Sequence, residues 1–126
     1  MDFMSSYFGK KVHALSNFEI NDYAEKLGIP YWRGVFMRDT LPKSVSKYET
    51  GIVNLDTNSG PGTHWVAYYK KDREVQYYDS FGVQPPPELI KYFGSGCTIF
   101  YNSEQEQKIS DVICGQLCLK FLYKNK

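Results

Sequence analysis

Two rhythms of apolar and polar positions run along this chain, one of helical period and one of strand period. From Ser16 to Gly28 the stretch "SNFEINDYAEKLG" places Phe18, Ile20, Tyr23, Ala24 and Leu27 on an apolar face. Ser16 and Glu19 have the spacing of a capping box, and Gly28 is suited to end the helix. The rhythm then shortens. "RGVFM" and "TGIVNL" read as short strands, separated by "RDTLPKSVSKYE", which is polar, broken by Pro42 and therefore predicted as a surface loop. "HWVAYY" and "REVQYYD" read as two further strands joined through Lys71 and Asp72. "QPPPELIKYFG" predicts a short helix entered through prolines, and "CTIFY" another strand. In "DVICGQLCLKFLY" the residues Cys114, Leu117, Cys118, Phe121 and Leu122 fall at i, i+3, i+4, i+7 and i+8, which predicts a last helix starting near Asp111 or Val112. The order helix, strands, helix, strand, helix predicts an α+β fold with a mainly antiparallel mixed central sheet flanked by helices.

Length keeps this to one domain spanning 1–126, since 126 residues support a single core and no linker, repeat or low-complexity segment divides them. Aromatic residues reach 17%, which favours a core and a cleft built from rings. A net charge of +1 creates no global demand for nucleic acid or a membrane surface. The opening stretch "MDFMSSYFGKK" lacks the apolar centre of a signal peptide, and no stretch approaches membrane-spanning length. Cys97, Cys114 and Cys118 are too few and too irregularly spaced for a disulfide framework. The expectation is an intracellular, reducing compartment, in which a working thiolate is at home.

Candidate chemistry begins at "GPGTHWVAYY", where His64 sits between a Gly/Pro-rich loop and an apolar strand. With a hairpin turn centred between Lys71 and Asp72, residues whose numbers sum to 143 lie opposite each other, and His64 and Asp79 do so. That register puts both side chains on one face with Cβ atoms roughly 5 Å apart. It suits an imidazole oriented by a carboxylate, and equally a cross-strand ion pair with no chemistry. Cys114, in the first turn of the last helix, has a dipole and free N–H groups to stabilise a thiolate; the alternative is a small buried hydrophobe. Gly115 permits another backbone to approach. Gln107, in "NSEQEQKIS", offers a neutral donor for a tetrahedral oxyanion, with Gln105 and Gln116 as rivals. Trp65 follows His64 and reads as a packing wall with a positioning role. His13 has no acidic or thiol partner nearby. A zinc site from His64, Cys97, Cys114 and Cys118 matches structural zinc spacings poorly.

Taken in order, "GTHW", "YYDSFG", "YNSEQEQ" and "ICGQLC" resemble the adenovirus protease (adenain) family of cysteine peptidases, and in particular its polinton and large-DNA-virus members, with SUMO-specific proteases more distant. The resemblance runs from about Leu15 to Tyr123 and implies a papain-like/adenain-like core. It implies His64 as general base, Asp79 as its orienting acid, Gln107 as oxyanion donor and Cys114 as nucleophile, with Trp65 and Gly115 at the substrate. The order His, Asp, Cys is the family's and the reverse of papain's.

A viral-type endopeptidase maturing capsid or core precursors at Gly-containing sites follows from the resemblance, in a virus factory or nucleus and in the virion. Its partners would be polypeptide substrates and no membrane. No cofactor is demanded by the residues themselves, whereas an activating peptide or DNA is a family trait. Readings of other kinds are a ubiquitin-like-protein isopeptidase, an acyltransferase, and an inactive binding module on the same fold. The sequence leaves the oligomeric state open.

Overall fold

The computed structural model describes residues 14–56, 64–102 and 113–125. Its first element is helix α1, Asn17–Lys26, and the predicted capping box is present in full. Glu19 N–H donates to Ser16 Oγ at 3.2 Å and Ser16 N–H to Glu19 Oε1 at 3.0 Å. The cap also sets the helix's rotational phase, and here the expected apolar face is corrected. Ile20, Ala24 and Leu27 are buried, but Phe18 is 80% exposed. At 100° per residue Phe18 stands about 200° from Ile20, on the opposite side of the helix.

Five strands follow: β1 Trp32–Met37, β2 Tyr48–Asn54, β3 Trp65–Lys71, β4 Glu74–Tyr78 and, after helix α2 (Pro87–Phe93), β5 Thr98–Tyr101. Helix α3, Cys114–Lys124, completes the described elements. The strands form one mixed sheet in the order β1-β2-β3-β4-β5. Its centre is antiparallel (β2 with β3, β3 with β4), and the outer pairs β1–β2 and β4–β5 are parallel. The mixed α+β architecture predicted from the pattern is therefore present. Boundaries move: Tyr48 and Glu49, predicted in the loop, open β2, and Lys71, predicted in the hairpin connection, ends β3. Helix α3, predicted from near Asp111 or Val112, has Ile113 as its cap and begins at Cys114.

Both faces of the sheet are covered, which explains why β3 is apolar almost throughout. One face carries Ile52, Trp65, Ala67, Tyr69 and Tyr78, packed with Ile20 and Ala24 of α1 and Leu117, Cys118 and Leu122 of α3. The other carries Val53, Val66, Tyr68, Val75 and Tyr77 against Leu89 and Phe93 of α2. Leu89, Leu119 and Leu122 are wholly buried, each stabilising the fold by about 2 kcal/mol relative to an exposed position. Gly51 is required by its neighbour: a Cβ there would lie 2.6 Å from the Tyr68 hydroxyl.

Candidate active site

The hairpin turn lies one residue later than the sequence suggests. Lys71 pairs with Glu74 and Tyr68 with Tyr77, so opposite residues sum to 145 rather than 143. "KKDR" carries no Asn-Gly turn signal, and Asp72 takes up the left-handed conformation at φ +55° to close a loop of Asp72 and Arg73. A shift of two preserves which face each side chain uses. The His64 and Asp79 side chains meet just beyond the last pair of that ladder, Ala67 with Tyr78.

His64 immediately precedes β3, and its carbonyl accepts the Leu55 N–H at 2.9 Å, fixing its main chain at the end of β2. Asp79 immediately follows β4 and opens a tight turn in which Gly82 N–H donates to the Asp79 carbonyl at 2.8 Å. Gly82 has φ +73°, a conformation glycine adopts without strain. The Asp79 side chain is 1% exposed, and its Oδ1 accepts both Phe81 N–H at 2.8 Å and His64 Nε2 at 2.7 Å. Phe81 then lies flat on the imidazole, with ring centroids 4.2 Å apart and planes within 7°. The imidazole is held at its edge by a carboxylate and on one face by a ring.

Cys114 is the first residue of α3, whose cap, Ile113, has no capping side chain. Its thiol is hydrogen-bonded to His64, and the main-chain N–H groups of Trp65 and Gly115 point at the sulfur. With Nε2 engaged by Asp79, Nδ1 is the ring nitrogen left for the thiol. Burial by itself would push the Cys114 pKa up; the His64 hydrogen bond, the two N–H groups and the imidazolium charge outweigh it and bring it below the usual thiol value. For His64 burial alone would favour the neutral ring, but the bonds and charges of Asp79 and Cys114 win and raise it to about 9. Each shift favours the charged form of its group, thiolate for Cys114 and imidazolium for His64. Cys118, one turn further along α3, is wholly buried, and burial pushes its thiol well up, so it stays protonated.

The other expected residues fall out as follows. Trp65 is buried, its indole N–H donating to the Leu15 carbonyl at 3.2 Å. Gly115 is buried too, and a Cβ there would sit 3.2 Å from Ile20 and 3.4 Å from both Leu15 and Trp65. The main-chain N–H groups of this pair act on the Cys114 thiol. Gln107 lies outside the described residues, as do His13, Asp111 and Val112. Gln116, its rival on α3, is 1% exposed. Cys97 stands on the far side of the sheet, donating to the Phe93 carbonyl at 3.1 Å, so the four-residue zinc arrangement is not assembled. Two residues that sequence reasoning missed belong to the site: Phe81, in the turn that Asp79 opens, and Asn102, the residue after β5.

No protein-family model matches the sequence, and no curated protein matches it. The fold does have solved counterparts. The crystal structure of the ASFV pS273R protease superposes with a TM-score of 0.62 at 16% identity over 90% of this chain. The fold is similar to that of this viral protease. The selenomethionine crystal structure of the same protease gives a TM-score of 0.60 at 17% identity. This chain spans 57% of the length of the first of these structures.

Proposed function

We propose that the protein is a cysteine endopeptidase that cleaves polypeptide precursors, with Cys114 as nucleophile, His64 as acid and base, and Asp79 as the group orienting His64. The observation that carries this reading is the continuous contact from the Asp79 carboxylate through the His64 ring to the Cys114 thiol at a helix N-terminus. The viral protease fold supports it independently.

The chemistry follows from the atoms. The Cys114 thiolate adds to the scissile carbonyl, and the carbonyl electrons move to oxygen. Gln107 and main-chain N–H groups of the first α3 turn hold that oxyanion. Collapse expels the amine, which takes its proton from the His64 imidazolium, leaving an acyl-enzyme. Neutral His64 then takes a proton from water as it attacks the acyl carbon, and collapse of the second intermediate restores the pair. Asp79 keeps the ring aligned and stabilises its charged form throughout.

The substrates in this reading are virion precursor proteins cut beside small residues, glycine above all. The site would work in a reducing compartment that leaves the thiolate intact, with peptide or DNA as candidate activators. No described helix is long and apolar enough to cross a membrane. Active-site titration with a peptide vinyl sulfone ending in Gly tests the reading. Stoichiometric labelling of wild type, abolished in Cys114→Ala and slowed by about a thousandfold in His64→Ala, is the expected result. Labelling only by modifier-protein vinyl sulfones would redirect the substrate class to ubiquitin-like conjugates, and equal slow labelling of wild type and His64→Ala would remove the catalytic assignment.

A further inference from the structure

Asp79 stands just beyond both of the ladders that support β4. Pairing with β3 ends at Ala67 and Tyr78, and pairing with β5 ends at Tyr77 and Tyr101. What continues the support is the side chain of Asn102, the residue after β5. Its Oδ1 accepts the Asp79 N–H at 2.9 Å, and its Nδ2 donates to the Asp79 carbonyl at 2.6 Å. A primary amide facing one residue's own N–H and C=O matches donor to acceptor at two points, as a neighbouring strand would. The same carbonyl also receives Gly82 N–H, and Asp79 Oδ1 receives Phe81 N–H, so the residue is pinned from both sides.

We propose that Asn102 is a positioning residue for the His64–Cys114 pair, acting by clamping the main chain of Asp79 and thereby aiming its carboxylate at His64 Nε2. This rests on the cysteine-peptidase reading and adds a fourth member to its machinery. Asn102 is uncharged, and through this clamp it acts on His64 by way of the position of Asp79. Hydrogen bonds weaken steeply as they bend, and a carboxylate that drifts off Nε2–H supports the imidazolium less. The consequence has a sign. Without the clamp His64 loses its proton at lower pH than about 9, and the charged pair holds over a narrower range.

The test is the pH dependence of Cys114 labelling by the Gly-terminated vinyl sulfone, whose addition needs a thiolate and a proton donor. In Asn102→Ala the alkaline limb should move about one pH unit to the acid side and the plateau rate fall about tenfold. Asn102→Thr, a good strand residue whose single hydroxyl cannot span both groups, should behave alike and guards against loss of fold in the alanine variant. In an Asp79→Ala background Asn102→Ala should add nothing, because the two act as one unit. Profiles of both variants overlaying wild type would overturn the assignment, as would an equal loss with and without Asp79, or failure of both variants to fold. If wild type labels no faster than His64→Ala, the peptidase reading fails first; if wild type is fast and both Asn102 variants match it, only the clamp is lost.

Discussion

The sheet holds two buried carboxylates, each 1% exposed, and they could hardly be used more differently. Glu49 lies near the start of β2 and Asp79 beyond the end of β4, at opposite ends of the sheet, separated along β2 by about 17 Å from Glu49 to Asn54. Glu49 Oε1 accepts Arg33 and the Ser46 N–H at 2.9 Å each, and Oε2 accepts the Tyr68 and Tyr92 hydroxyls at 2.5 Å each. Burial and the neighbouring carboxylate push both tyrosines above their ordinary range, so neither gives up its proton. The carboxylate is surrounded by donors only: the Arg33 cation, the Ser46 N–H and the two tyrosine hydroxyls. Asp79 instead faces a histidine, and that histidine faces a thiol. Equal burial thus accompanies a structural tie at Glu49 and contact with a histidine and, through it, a thiol at Asp79.

Substitutions should separate the two ends cleanly. The largest effect belongs to the reactive end: Cys114→Ala abolishes vinyl sulfone labelling and His64→Ala slows it by about a thousandfold, both with unchanged far-UV circular dichroism. Asp79→Ala should slow labelling by roughly a hundredfold and Asp79→Asn by less, since the amide can still orient Nε2 but does not favour the charged ring. At the other end Glu49→Ala should leave the labelling rate of the folded protein unchanged and lower stability by about 2 kcal/mol in urea unfolding, because it removes the carboxylate that accepts the buried Tyr68 hydroxyl. The smallest effect is expected at neither end: Phe18→Ser, on the exposed side of α1, should change stability by no more than about 0.5 kcal/mol.

What the sequence made legible was local or set by parity. The Ser16–Glu19 cap, the α3 periodicity and the order of elements follow from short-range rules that the tertiary structure left intact. His64 and Asp79 could be placed on one face because an error of two in register does not change sides. The register itself was lost because Asp72 adopts φ +55° without the glycine that would have announced the turn. Phe18 misled because apolar character was counted without the phase imposed by the cap. Asn102 and the Glu49 cluster could not be read at all. Their partners lie 23 residues away for Asn102 and up to 43 for Glu49, and nothing in "YNSEQEQ" or "SKYET" says which distant chain they meet. Of the four residues expected to act, His64, Asp79 and Cys114 are brought together, and Gln107 falls outside the described residues.

Linkage gives the contrast a pH signature. A histidine raised from 6.5 to about 9 adds stability that is full below 6.5 and is lost as pH climbs through 9, and His64→Ala should remove that part of the pH dependence. Whether His64 and Cys114 rest as an ion pair is read from NMR titration of the His64 Cε1–H resonance, assigned by its absence in His64→Ala. A charged ring at pH 7 is expected, titrating near 9 and moving down in Cys114→Ala. A ring titrating near 6.5 in both proteins would contradict the ion pair, leaving an ordinary thiol beside an ordinary histidine.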